Sequence, residues 1–420
     1  MTDKIKDTAN LMKNLVHSGT NLEYTKSHNR QVVLQAIRHN SHISRPELCK
    51  ATGLTAQTVS KISQVLMEEG LIEIAGRRSA GRGYPAPEFR IRPNGGFALG
   101  VNVDQDHITV VLVDLAGTIR GRLHHNIRFP TLEAALEIVE EDVNHLLDDV
   151  SGARQRTYGV GLAVPGCITM DGELALPPDS MITWSGAPLK RLFAEAAGYP
   201  VWVENNANSA AVGESFYGVG HKYRNFLHLF LGTGVGCGLI LNGLLYRGSL
   251  GFAGELGAYP MSRPGTDGKT RTHKVLSDHI SFNTVFNRLK AQNEIGPEIK
   301  TNEELVASNH PAVEEWMEET AETLLAPVLM IQNLLDPDVF VIGGDISLEL
   351  LERLVSHLNE AVKDWHDSQL MVPKFVSATT GREGAALGAA TLPFYHAHTV
   401  RPDGLLKNAG PPKPLFAKVV

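Results

Sequence analysis

Residues 44–70 read SRPELCKATGLTAQTVSKISQVLMEEG, the punctuation of two short helices joined by a turn. Ser44 and Glu47 have the spacing of a capping box, in which the serine oxygen accepts from the amide at Glu47 and the glutamate reaches back to the amide of Ser44. Pro46 falls in the first turn, where a missing N–H has no intrahelical partner to lose. Gly53 breaks this helix after Thr52, Thr55 caps the next, and Gly70 ends it where a left-handed residue is wanted. Val59, Ile62 and Leu66 form an apolar stripe on the second helix. Gln57, Thr58, Ser60 and Lys61 point away from that stripe. Two helices around a Gly-containing turn make the helix-turn-helix pattern. The exposed side chains suit the major groove, since Gln can pair bidentately with adenine and Lys can reach guanine or phosphate.

The flanks extend the pattern. Residues 28–38 place Val33, Ala36 and Ile37 at helical spacing, which predicts a preceding helix. Residues 71–74 read as a strand and residues 89–91 as its partner. Arg77, Arg78 and Arg82 lie between them in a basic loop, able to act as a wing along the DNA backbone or in the minor groove. Residues 26–93 hold eleven Lys/Arg against five Asp/Glu, whereas the whole chain carries −7. A basic segment on an acidic body points to a polyanion-binding module joined to a part that does not bind polyanions. A helical hairpin used for protein contacts would share the turn. Cap, polar face, strand pair, wing and charge coincide, and together they favour a winged helix-turn-helix over residues 28–92, with operator DNA as its partner.

At 420 residues the chain exceeds one ordinary core. Its 43% hydrophobic and 20% charged residues are those of a soluble globular protein. No run of eighteen apolar residues is available to span a membrane, and residues 1–25 lack the apolar core of a signal peptide. Cys49, Cys167 and Cys237 form no CxxC pair and fit a reducing compartment, so a cytoplasmic location is expected.

The body begins near Phe97. Residues 98–103 and 108–113 read as paired strands, with Gly117 in the following turn. A similar unit recurs at 226–231, with GTGVGCG at 232–238, a strand at 239–241 and an Asn242-Gly243 hairpin turn. Two β-rich starts, each followed by helical segments, predict a duplicated α/β body with a cleft between its halves. Gly232, Gly234, Gly236 and Gly238 would let backbone amides converge on an anion. The apolar run at 324–335 predicts a buried helix.

The motifs are GVGLAVPG (159–166), VENNAN (203–208), Leu231 to Gly238 with Gly248, GELG (254–257), LDPD (335–338), VIGG (341–344) and ALGAA (386–390). Their order and spacing resemble the family of bacterial repressors and sugar kinases called ROK, over essentially the whole chain. The N-terminus fits its transcriptional-regulator branch, similar to the N-acetylglucosamine, glucose and xylose repressors. The resemblance implies an actin-like ATPase (ribonuclease H-like, duplicated) two-lobed body. One lobe would span 98–207 plus about 383–400 and the other 208–382, with an arm at 1–27 and an irregular tail at 401–420. It also implies a sugar held between the lobes, with Gly166, Asn205, Asn206 and Glu255 as the ligand-binding residues. The alternative for two of these is structural, Glu255 capping a helix and Asn205 closing a turn.

The departures matter as much. Family kinases have aspartate where this chain has Asn206, and an amide cannot take a proton from an attacking hydroxyl. Loss of such a base costs typically ~10²–10⁴ in rate. The first phosphate loop, Asp-x-Gly-Gly-Thr in the kinases, is here Asn102-Val103-Asp104-Gln105-Asp106, which removes two glycines and adds negative charge where phosphate would sit. The family's zinc-binding His is Ala258 here, no cysteine follows Cys237, and a family Glu is lost near Ser277. The expectation is a regulator, a repressor of carbohydrate uptake or catabolism genes, with no catalytic residue, no metal and no cofactor. A sugar or sugar-phosphate effector and a homodimer or homotetramer on a palindromic operator complete it. The alternative is a ROK-type sugar kinase with an added DNA-binding domain.

Overall fold

A computed structural model describes residues 22–40, 42–78, 86–264, 271–296, 298–299, 302–363 and 372–399. The chain divides into two compact units, one made of the residues up to Gly95 with those from Phe394, the other running from Gly96 to Pro393.

In the first unit, α1 (Leu22–Arg38), α2 (Arg45–Thr52) and α3 (Ala56–Glu68) precede a small antiparallel sheet. Its strands β1 (Ile43–Ser44), β2 (Ile72–Arg78) and β3 (Ala86–Ile91) lie in the order β1-β3-β2, with Ile72 opposite Ile91 and Ile74 opposite Phe89. Helix α1 starts at Leu22, six residues ahead of the stretch whose apolar spacing predicts it. The Glu47 carboxylate turns back onto Ser44, accepting from its backbone N–H at 2.9 Å and its hydroxyl at 2.7 Å. Gly53 takes φ 70°, a left-handed turn that costs glycine no Cβ clash. Val33, Leu34, Ile37, Leu48, Val59, Leu66 and Phe89 fill the core. The inner row of α3 is Val59, Ser63 and Leu66, with Ile62 only half-buried. Ser63 is tolerated there because its hydroxyl donates to the Val59 carbonyl at 2.7 Å.

The second unit holds two five-stranded sheets of one plan. The first comprises β4 (Phe97–Val103), β5 (His107–Asp114), β6 (Ile119–Asn126), β7 (Thr157–Val164) and β8 (Val201–Asn205), in the order β8-β7-β4-β5-β6. The second comprises β9 (Phe226–Leu231), β10 (Val235–Leu241), β11 (Leu244–Leu245), β12 (Val339–Gly344) and β13 (Phe375–Ser377), in the order β11-β10-β9-β12-β13. In each, an antiparallel meander occupies one side and two parallel strands the other. The duplication expected from the two β-rich starts is therefore present strand for strand. Helices α4 (Leu132–Asp149) and α5 (Leu189–Ala197) follow strands of the first sheet, and α6 (Asn206–Tyr217) leads from it to the second. Helices α7 (Pro311–Leu335) and α8 (Leu348–Ala361) lie further along the unit, and α9 (Gly384–His398) begins in it.

Separate apolar clusters lie against each sheet, Val101, Leu112, Val143, Leu162 and Phe193 in one, Leu229, Trp316, Leu324, Ile342 and Leu354 in the other. The run at 324–335 is only half buried. Leu324 and Val328 face the core, while Leu334 on the opposite side of α7 keeps 73% of its surface exposed. A run apolar all round says nothing about which side the tertiary fold covers. No described helix is long and apolar enough to cross a membrane.

Candidate functional site

Two surfaces carry the candidate residues. On α3, the side chain of Thr55 accepts from the Thr58 amide at 3.3 Å, so the helix begins where the sequence places its cap. Gln57 and Lys61 are exposed on this helix, and Thr58 and Ser60 are half-buried. The Thr58 hydroxyl pairs with that of Thr55 at 2.9 Å, which ties it to the cap and leaves Gln57 and Lys61 as its freer neighbours. Arg77 and Arg78 end strand β2, and Arg82 lies outside the described residues.

The second surface is the cleft between the two sheets of the larger unit. Matching turns meet there, Asp104–Asp106 between β4 and β5 and Gly232–Gly234 between β9 and β10. Asp104 is buried, and its carboxylate accepts from the Gln105 amide at 2.7 Å, the Thr233 hydroxyl at 2.8 Å and the Asn206 side-chain amide at 3.1 Å. Burial pushes its pKa up, against the pull of His107 and of the Gln105 and Thr233 hydrogen bonds. Gln105 adds a second bridge, donating to Thr233 Oγ1 at 3.1 Å while accepting from Ser180 at 2.8 Å. Ser281 donates to the Thr233 carbonyl at 3.0 Å, and Ser277 accepts from the Val235 amide at 3.2 Å, so two serines pin the glycine turn.

Only the first half of that glycine run faces the cleft. A Cβ on Gly236 would lie 2.7 Å from the Ala207 Cβ, and one on Gly238 would lie 2.5 Å from the Ala211 Cβ. Those two glycines exist so that α6 can lie against β10. The expected convergence of four glycines on an anion gives way to a carboxylate from the chain itself.

Asn205 caps α6, its Oδ1 accepting from the Ala207 amide at 2.8 Å, and its Nδ2 donates to the Gly166 carbonyl at 2.8 Å. Gly166 sits at φ 105°, in the left-handed region. Asn206 is 4% exposed, and its Oδ1 has no hydrogen-bond partner. Glu255 opens a short 3-10 helix without capping it through its side chain. It remains solvent-exposed, yet partial burial of its carboxyl raises its pKa, opposed by a hydrogen bond from the Cys167 thiol. Burial and the nearby Glu255 push Cys167 up to about 12, so this thiol stays protonated. The fold thus joins Gly166 to Asn205 and brings Glu255 against the residue that follows Gly166, while Asn206 is engaged with Asp104. Ala258 is exposed, and among the described residues no three His, Cys, Asp or Glu side chains are placed to hold a metal.

Reasoning from the sequence named Gln105 and Ser277 only as departures from the family pattern and did not foresee their bonds to the opposite turn. It missed Ser180 and Ser281 altogether, and had Thr233 only as part of its Gly-Thr-Gly turn. It also missed Glu204, fully buried beside Asn205, whose pKa burial raises and whose partner is Arg247 at 2.8 Å.

The ROK family model matches residues 98–394. The chain belongs to the ROK family. Ahead of the ROK region, residues 27–73 match the winged helix-turn-helix DNA-binding model. A xylose repressor of Bacillus spizizenii is 32% identical over 234 residues, covering 56% of this chain and 60% of the relative. The chain thus spans about 60% of the length of that curated relative. Among solved structures, a ROK transcriptional regulator homologous to the Escherichia coli MLC protein aligns with TM-score 0.67 at 20% identity, covering 91% of this chain and 98% of that one. A ROK glucokinase of Streptomyces griseus, solved with glucose and AMPPNP, aligns with TM-score 0.61 at 23% identity, covering 71% of this chain and 99% of that one. At these identities the two structures establish the fold, a winged helix-turn-helix followed by the actin-like ROK body.

Proposed function

We propose that the chain is a DNA-binding transcription regulator, a repressor of carbohydrate genes, whose ROK body binds a sugar without phosphorylating it. The observation that carries this reading is the Asp104 carboxylate seated between the two turns, bonded to Thr233 and to Asn206. A kinase needs that space for phosphate and needs a carboxylate at position 206 to accept the hydroxyl proton. Here an anion fills the first and an amide the second. The winged unit at residues 28–92 supplies the DNA contact, through Gln57, Thr58, Ser60 and Lys61 in the major groove and Arg77, Arg78 and Arg82 along the backbone. Gly166, Asn205, Asn206 and Glu255 form the sugar site. Two copies on a palindromic operator would multiply affinity through effective concentration, which favours a homodimer or homotetramer in the cytoplasm.

The relatives' names make xylose and glucose the first sugars to try. The test is operator binding across a titration of each sugar, beside a coupled assay of ATP turnover with the same sugars. A sugar-dependent change in operator affinity without turnover supports the reading. Sugar-dependent ATP hydrolysis would replace it with a kinase that carries an extra DNA-binding domain.

A further inference from the structure

We propose that Asp104 is the positioning residue of the ligand site, a built-in anion that bridges the two turns in place of a nucleotide phosphate and turns the Asn206 amide so that its oxygen is left for a ligand hydroxyl. This rests on the reading above that a sugar binds at Asn206.

The argument begins with donors. Three of them converge on one carboxylate: a main-chain amide of its own turn (Gln105), a hydroxyl of the opposite turn (Thr233), and the side-chain amide of the first residue of α6. A backbone N–H, a hydroxyl and a side-chain NH₂ around one buried anion are the contacts that phosphate oxygens otherwise receive. They come from both lobes, so the carboxylate holds the lobes together without a nucleotide. The Asp104 Oδ1 accepts from the Gln105 amide and the Thr233 hydroxyl, and its Oδ2 accepts from the Asn206 side-chain amide, so the carboxyl oxygens decide which end of Asn206 faces them. The NH₂ end must point at Asp104, and the oxygen must point away.

That oxygen is the second observation. Asn206 is 4% exposed, and its Oδ1 is shut from solvent with no partner among the described residues. A buried unpaired acceptor is costly, and only a donor satisfies it. Its other neighbours do not serve, because Asn205 spends its own amide on Gly166 and on the start of α6. A hydroxyl group fits this acceptor, and an ether or carbonyl oxygen does not. Asp104 thereby sets the chemical sense of the site while standing one residue behind the ligand.

The experiment is chemical rescue in the full chain, using Asp104→Gly and Asp104→Asn. Sodium formate and inorganic phosphate serve as anion probes, with sodium chloride at matched ionic strength as control. D-Xylose and D-glucose binding is followed by calorimetry, and thermal midpoints are recorded with and without each anion. Asp104→Gly should weaken binding of the sugar that the wild type takes by about tenfold or more. Formate or phosphate should restore it to within about threefold, while leaving the wild type unchanged. Asp104→Asn should lose as much and gain nothing from either anion, because its amide fills the space. Wild-type sugar affinity in either variant, or a loss in Asp104→Gly that neither anion repairs, overturns the proposal. Should Asp104→Gly fail to fold, the isosteric Asp104→Asn still decides the matter. Should the wild type bind neither sugar, the effector is neither xylose nor glucose. The thermal midpoint of Asp104→Gly then tests the bridge alone: a rise with formate upholds it, and no rise refutes it.

Discussion

Changing Asn206 to Asp restores the residue type that a family kinase carries, and the structure argues that the protein pays for it in stability without gaining activity. Asn206 Nδ2 lies 3.1 Å from Asp104 Oδ2, so the substitution sets two carboxyl groups about one hydrogen bond apart in a buried place. The existing hydrogen bond is lost, worth ~1–3 kcal/mol when its partner is left buried. Two like charges at that separation repel by roughly 5 kcal/mol at an effective dielectric near 20, so one of the pair must hold a proton instead. A net destabilisation of roughly 2–4 kcal/mol at pH 7.5 follows, about 4–8 °C in the midpoint of a unit this large. The new carboxyl has its folded pKa raised above the unfolded value of about 3.9, so the penalty is present at high pH and fades as pH falls through about 4. Thermal denaturation of variant and wild type from pH 4 to 8 measures it, beside a coupled ATP-turnover assay with xylose and glucose. A midpoint difference that does not grow with pH, or a working kinase, would refute the reasoning.

Other outcomes can be checked beside it. Gln57→Ala or Lys61→Ala should lower specific operator affinity, by roughly 1–3 kcal/mol where the side chain reads a base edge, as measured by competition against non-operator DNA. If Glu255 holds the proposed sugar, Glu255→Ala should cost ~1.5–3 kcal/mol, ten- to a hundred-fold in ligand affinity, while operator affinity without sugar stays put; superimposable ligand-response curves would make Glu255 structural. Glu214 is buried and accepts from the amides of Val219, Thr379 and Thr380 and from the Thr379 hydroxyl at 2.7–3.0 Å, so Glu214→Gln, which turns an NH₂ onto those donors, should destabilise the larger unit by about 2–4 kcal/mol in urea unfolding. Burial holds His228 down to about 4, below its unfolded value near 6.5, so it stays neutral in the fold while the unfolded chain takes up a proton. Stability should therefore fall by about 3 kcal/mol as pH drops from about 6.5 to 4, a slope that His228→Gln should flatten.

Much of the molecule was legible from its residues because the signals were local. The capping box at Ser44 and Glu47, the left-handed break at Gly53 and the cap at Thr55 depend on neighbours a few positions away, and each appears where the sequence places it. The repeated strand-turn-strand starts at residues 97 and 226 likewise carried the duplication, since period-two patterning and turn glycines are written into short segments. Distance in the chain defeated the rest. Nothing about Asp104 reveals that Thr233, 129 positions on, and Asn206, 102 positions on, will share its carboxylate. The sequence marked it only as a charge where phosphate should be. The same limit applies to Gly236 and Gly238, whose want of a Cβ answers to α6 packing, and to the run at 324–335, whose exposed side depends on what the fold sets beside α7. Sequence alone determined which elements form and where Asp104 and Asn206 stand in them. Tertiary structure alone decided which side chains meet in the cleft, because a hydrogen bond between lobes depends on where the chain returns in space and not on any period along it.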